Sequence, residues 1–442
     1  MNYVDFFLLA ENNVGLLILL TLGAVFIYLI IYRKYILSVF DPMFFAIVAS
    51  GLANSIVFYL YFLDQIRYYY FQSFLITEVC FILGFFIFKP IKSVSFYLSN
   101  KCVSKKKSSY DKNFITIMFY WASVIHVISQ ITTYAVVGLP ILMESRLTAY
   151  SGGSGFGLVG RFVDVSSGIG IFLLFYRMFY CRPTSLNKIY NYLYLFFVII
   201  SFILSGNKTN LLFLIYYLFI LNMFMLKIDG AAIEQKIKKT LRLQRLFLFI
   251  SIPLVFVVIA IQLITSTGEV NFNDSMLVLM KRIVSFGDIY YLTLPNDVIS
   301  QLAIGQSSLL QLFKDPLGVL RIVPWSELPI DSGFAVTDYH FGIQTAGPNP
   351  RYNYFAMLYY DILGQGIYCF LVGVVISFIR NKLFYLMPKN IFFGCIYASV
   401  SINIIYAFQD MPTLVLHLFS IVLVLPVILF LTLITLRVTH GR

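Results

Sequence analysis

Long apolar runs, separated by short polar breaks, dominate the chain. Val14–Tyr32 and Leu246–Thr265 are each long enough to cross a bilayer as a helix, which takes roughly 20 apolar residues. Read this way throughout, the sequence predicts about eleven spans, with ten to twelve as the range. They fall near 14–32, 43–63, 71–88, 114–137, 158–180, 189–205, 209–226, 246–266, 358–379, 390–408 and 414–436. No period-two alternation is visible, and lipid tolerates only helices or closed barrels. The expected fold class is an all-α polytopic membrane protein.

One interval breaks the rhythm. Residues 267–357 form a single long segment before the last spans, and an unstructured loop of that length is unusual. Within it, SMLVLMKRIVSFGDIYYLTL and LLQLFKDPLGVLRIVPW carry apolar residues at helical spacing, punctuated by Gly and Pro. They predict short helices lying on the membrane or over the bundle. The chain thus divides into spans one to eight (1–266), a large loop (267–357) and the last three spans (358–442).

Composition agrees: 60% of the 442 residues are hydrophobic, 12% are charged, and the mean hydropathy is +0.85. The net charge of +12 is read as topology rather than as a nucleic-acid footprint. Of the 32 basic residues, 23 fall in one set of loops, including KKK at 105–107, and 9 in the other. The positive-inside rule makes the rich side cytoplasmic. The N-terminus is then expected outside and the C-terminus in the cytoplasm, with the 267–357 loop outside. The N-terminal residues show no removable signal, and the five cysteines form no disulfide framework in the outer loops.

The basic residues left outside are Arg67, Arg146, Arg161, Lys208, Lys281, Arg282, Lys314, Arg321 and Arg351. Arg161 and Lys208 sit at span ends, where a cation implies a partner or a pathway. For Arg161 the options are pairing with Asp164, snorkelling, or binding an anion. For Lys208, in LSGNKTNLL, they are a plain turn or an anion site.

The stretch SGGSGFGLVGR places Gly155, Gly157 and Gly160 at the G-x-G-x-x-G spacing. A dinucleotide fold needs a soluble βαβ unit around it, which is absent here. The glycines remain either a plain start to the fifth span or a backbone cradle for an anion, with Arg161 adding charge. No H-E-x-x-H or C-x-x-C pair exists, so no bound metal is expected. Of the four histidines only His340 lies in the outer loop, where it is a candidate general base.

These features together resemble the O-antigen polymerase (Wzy-type) family of Gram-negative bacteria. The bundle has a similar length and one large outer loop before the last spans. LSGNKTNLL resembles that family's S-G-S-R-G turn, and GPNPRYNYFAMLYYDILGQGIYCFLVG its H-N-x-Y-L…G-x-x-G segment. Lys208 stands where the family often has Arg, and Tyr352 where His often precedes the Asn, here Asn353.

The resemblance implies a fold similar to GT-C-like lipid-dependent glycosyltransferases, in the bacterial inner membrane. It also implies polymerisation of undecaprenyl-pyrophosphate-linked oligosaccharide repeats at the periplasmic face. The partners implied are those lipid-linked glycans, membrane lipid and a polysaccharide chain-length regulator, with no cofactor and no nucleic acid. Arg161, Lys208, Arg282 and Arg351 are assigned to pyrophosphate, with Arg146 a further candidate. Asn353 is assigned to the glycan, and Asp288, His340 and Asp361 are the candidate proton acceptors. A lipid-linked oligosaccharide flippase and an O-antigen ligase are the alternatives.

Overall fold

The computed structural model describes residues 1–92, 109–142, 157–181, 184–205, 208–247, 249, 284–302, 307–343 and 347–440. Those residues form helices and no strand, and nine of the helices are long and apolar enough to cross a membrane. The protein is a multi-pass helical membrane protein.

Nine of the expected spans correspond to these helices. The expected span 246–266 lies almost wholly outside the described residues. The expected span 390–408 is not one helix. Ile391–Ile402 stops at Asn403, and a short turn of helix, Ile404–Ala407, follows. The chain before the first span is also helical, over Tyr3–Asn12. Asn2 and Asp5 close its start with reciprocal 3.0 Å side-chain-to-backbone bonds, a capping box.

The chain packs as two units, each assembled from separate stretches. The first comprises residues 1–91, 276–384 and 403–417; the second comprises 92–275, 385–402 and 418–442.

In the first unit, the helices Tyr68–Phe85 and Ile362–Ser377 run side by side in the same direction. Ser73 donates to Gln365 near their starts. Near their ends, Gly84 lies against the Phe370 carbonyl and Gly373 against that of Phe81, so closely that a Cβ on either would overlap backbone. Lipid offers helices no hydrophobic drive to associate, so such close backbone fit carries much of the attraction.

The Pro42–Phe62 helix starts on Asp41, whose carboxylate accepts from Met43 N–H at 3.0 Å and Leu37 N–H at 3.1 Å. The same carboxylate takes the Arg380 guanidinium, forming a buried ion pair. Arg380 sits where the backbone widens into a π-turn, Phe378–Lys382.

The described part of the 267–357 segment folds as short helices within this unit: Asp288–Thr293, Val298–Leu302, Ser308–Val319, Ser332–Phe341 and Tyr352–Tyr359. The N-terminal helix packs on them through rings. Phe6 stacks on Tyr291 at 4.0 Å, and Tyr3 on Phe341 at 5.4 Å.

The second unit holds the helices Ser109–Val137, Gly157–Phe179, Ser185–Leu204, Lys208–Asp229 and Ile391–Ile402, and most of Met411–His440. Gly168 and Gly170 leave room for the Tyr217 and Tyr194 hydroxyls, and Gly394 for the Phe224 ring.

Candidate functional site

The richest polar chemistry in the first unit surrounds Glu78, a carboxyl in the second half of a membrane-spanning helix and almost fully buried. Four donors reach it. Tyr352 Oη donates to Oε1 at 2.6 Å, Asn353 Nδ2 at 3.1 Å and Asn54 Nδ2 at 3.0 Å, while Tyr28 Oη donates to Oε2 at 2.5 Å. Tyr290 Oη closes the ring, 2.6 Å from Asn353 Oδ1 and 3.1 Å from Asn54 Oδ1. Burial raises the Tyr290 phenol, with Arg351 opposing, and burial followed by the Glu78 charge raises that of Tyr352. Both hydroxyls therefore stay protonated and serve as donors.

Arg351 caps the start of the Tyr352–Tyr359 helix and is buried. Its guanidinium is spent largely on backbone. Nε and Nη2 donate to the Phe286 carbonyl at 2.9 and 2.7 Å, and Nη1 to the Phe408 carbonyl at 3.2 Å. Phe408 follows the Asn403 break, where a helix end leaves carbonyls without intrahelical partners. Such backbone is tolerated at membrane depth only where protein or a polar cavity satisfies it.

Two residues further on, Asp410 combines burial with unused capacity. Oδ2 accepts from Thr413 Oγ1, whereas Oδ1 is closed off from solvent and has no hydrogen-bond partner. Burial pushes its carboxyl up to about 7. Thr413 and Lys314 oppose that shift, and the nearby Asp331 charge adds to it. Lys314 and Asp331 are themselves paired at 2.5 Å. Other buried polar groups of the same unit also lack partners: Tyr354 Oη, Tyr368 Oη, Ser332 Oγ and both amide atoms of Gln311. Most native buried polar groups are satisfied, so such a concentration points to water or a ligand. In the same unit, an apolar groove of about 410 Å³ runs between the helices 68–85 and 362–377, lined by Ile76, Cys80, Leu363, Ile367 and Phe370.

The sequence candidates distribute as follows. Asn353 and Arg351 lie in this region. Asp288 begins the helix that carries Tyr290, and its Oδ1 accepts from Ile289 N–H at 3.0 Å. His340 Nε2 donates to the Leu292 carbonyl of that helix at 2.7 Å, tying two loop helices together. Asp361 caps the start of its helix through Gly364 N–H at 2.9 Å.

Arg161 and Lys208 belong to the second unit. Arg161 is buried, donates to Ser420 Oγ at 3.1 Å and lies over the Phe419 ring. Lys208 starts its helix. Arg146, Arg282 and Gly155 lie outside the described residues. Gly157 and Gly160, in the first turn of their helix, face open space.

Glu78, Asn54, Tyr28, Tyr290 and Asp410 were not singled out from the sequence. A carboxyl inside an apolar run was the available signal for Glu78. Comparison with known proteins adds no family: no protein-family model, no curated protein and no solved structure matches the chain. Among the described residues, no cluster of His, Cys, Asp and Glu has the makings of a metal site.

Proposed function

We propose that the protein polymerises oligosaccharide repeat units carried on undecaprenyl pyrophosphate, at the outer face of a bacterial inner membrane. The observation that carries this reading is the broken helix at 403–410, flanked by buried Arg351 and by polar groups with unfilled hydrogen bonds. Hydroxyls, amides and carboxyls among short helices suit a glycan, and the apolar groove of the same unit suits part of an isoprenoid tail.

In the proposed step, an acceptor sugar hydroxyl attacks the donor's anomeric carbon. The C–O bond to pyrophosphate breaks, and the leaving group takes the bonding electron pair. Asp410 accepts the hydroxyl proton, for which a carboxyl near neutrality is suited. A guanidinium has five N–H donors, so Arg351 keeps N–H capacity for a developing oxyanion beyond its three backbone bonds.

Glu78 favours a second reading. An ionisable residue inside a span marks transport pathways, and a lipid-linked oligosaccharide flippase would use one.

The test is the lipopolysaccharide of a strain carrying Arg351→Ala or Asp410→Asn at normal expression. A polymerase defect leaves single repeats on the core, and a ligase defect leaves bare core with polymer on the carrier. A flippase defect strands lipid-linked repeats on the cytoplasmic side. An unchanged ladder in the deletion strain sinks all three readings.

A further inference from the structure

A second site stands apart from the polymerisation reading, in the second unit. Arg177, in the last turn of the Gly157–Phe179 helix, is 4% exposed. Its Nη2 donates to Tyr120 Oη at 3.2 Å, while Nε and Nη1 are buried and have no hydrogen-bond partner. Its guanidinium lies over the Phe119 and Tyr120 rings at 4.6 and 4.8 Å. No described carboxylate pairs with it.

Tyr120 passes its own hydrogen to Asn187 Oδ1 at 2.5 Å, in the first turn of the Ser185–Leu204 helix. One turn on, Asn191 is 1% exposed, and neither its Nδ2 nor its Oδ1 has a partner. Residues four apart share a helix face, so Asn191 follows Asn187 along the same side. Phe119, beneath Arg177, touches both Tyr190, which precedes Asn191, and Tyr194, which lies three residues beyond it on that helix.

The magnitudes leave a deficit. Burying a charge costs several kcal/mol even after relaxation. Cation–π contacts return roughly 0.5–2 kcal/mol, and a helix C-terminus at most about 2 kcal/mol. Neither fills the open N–H groups. We propose that Arg177 and Asn191 form an anion site for a phosphate oxyanion, at the end of two membrane spans. That depth is where phospholipid headgroups lie, so an anionic headgroup and a free phosphate are the two sources of the same chemistry.

Native mass spectrometry of the full chain tests it, from nanodiscs mixing phosphatidylglycerol and phosphatidylcholine. It is paired with thermal melting in neutral detergent with and without millimolar inorganic phosphate. The wild type is expected to retain phosphatidylglycerol selectively, and Arg177→Gln to lose about tenfold of that retention. Asn191→Ala keeps the charge and should show a smaller loss, so the test survives if Arg177→Gln fails to fold. Stabilisation by inorganic phosphate without lipid selectivity makes the ligand the free anion and supports the site. Equal retention and equal melting in the wild type and both variants, or in the wild type and Asn191→Ala alone if the arginine variant does not fold, overturns it.

Discussion

Arg351 donates from Nη1 to the carbonyl of Phe408, 3.2 Å away, beyond the point where the helix begun at Ile391 has broken. The same side chain holds Phe286, so one guanidinium pins both a loop helix and a broken span. A charge that the sequence offered as an anion binder is, in the fold, a structural clamp.

Removing that clamp leaves buried carbonyls without donors, at about 1–3 kcal/mol each. Arg351→Ala is expected to lower the melting temperature in detergent and to abolish polymer in cells. Arg351→Lys keeps the charge and at most part of the bonding, so it should recover stability more than activity. Melting curves beside the glycan ladder separate the two effects.

Glu78→Gln keeps the shape but turns one acceptor into a donor facing Tyr28. It should fold, with a lower melting temperature than the wild type. Glu78→Ala strands several buried donors, at about 1–3 kcal/mol each, and should be strongly destabilised. Equal melting of wild type and Glu78→Ala would show that the network does not hold the unit together.

Asp410 sets a pH dependence. Its carboxyl is raised from 3.8 to about 7 in the folded chain by burial first, with Thr413, Asp331 and Lys314 as the groups around it. A raised acid binds its proton more tightly when folded. That stability is present below about pH 4 and is lost as pH climbs towards 7, whereas a general base gains activity over the upper part of the same climb. Asp410→Asn should flatten the stability slope and remove the rise in rate. Melting and in vitro polymerisation from pH 4 to 8 measure both.

Gly84→Leu would force a side chain into the Phe370 backbone. Overpacking of this kind costs about 1–3 kcal/mol, and more where backbone cannot yield. The variant is expected to express poorly and to lose the pairing of the helices 68–85 and 362–377. A cysteine cross-link engineered at Ser73 and Gln365, the pair in contact at the other end, reads that pairing directly.

The Asp41–Arg380 pair tests the interior by a cycle. Arg380→Met leaves a buried carboxylate and should cost about 3–5 kcal/mol, while the double variant with Asp41→Asn should regain much of it. Additive losses would mean that the two side chains act independently.

The sequence determined the class of this protein unaided. Whether a segment spans a bilayer depends on the length of its apolar run, a local property that needs no partner. The nine long helices among the described residues were legible for that reason, and helical spacing pointed to Asp288–Thr293 and Ser308–Val319 in the 267–357 segment. Arg351 drew attention because a cation on the expected outer side runs against the topology rule.

The break at Asn403 was not legible, since INIIYAF reads as continuous span and its Phe408 carbonyl is satisfied from Arg351, 57 residues earlier. Nor was the Glu78 network, whose donors Tyr352 and Asn353 lie 274 and 275 residues away. Which polar groups meet inside a bilayer is decided by close helix packing and by the demand that each find a partner. Only the tertiary structure contains that information.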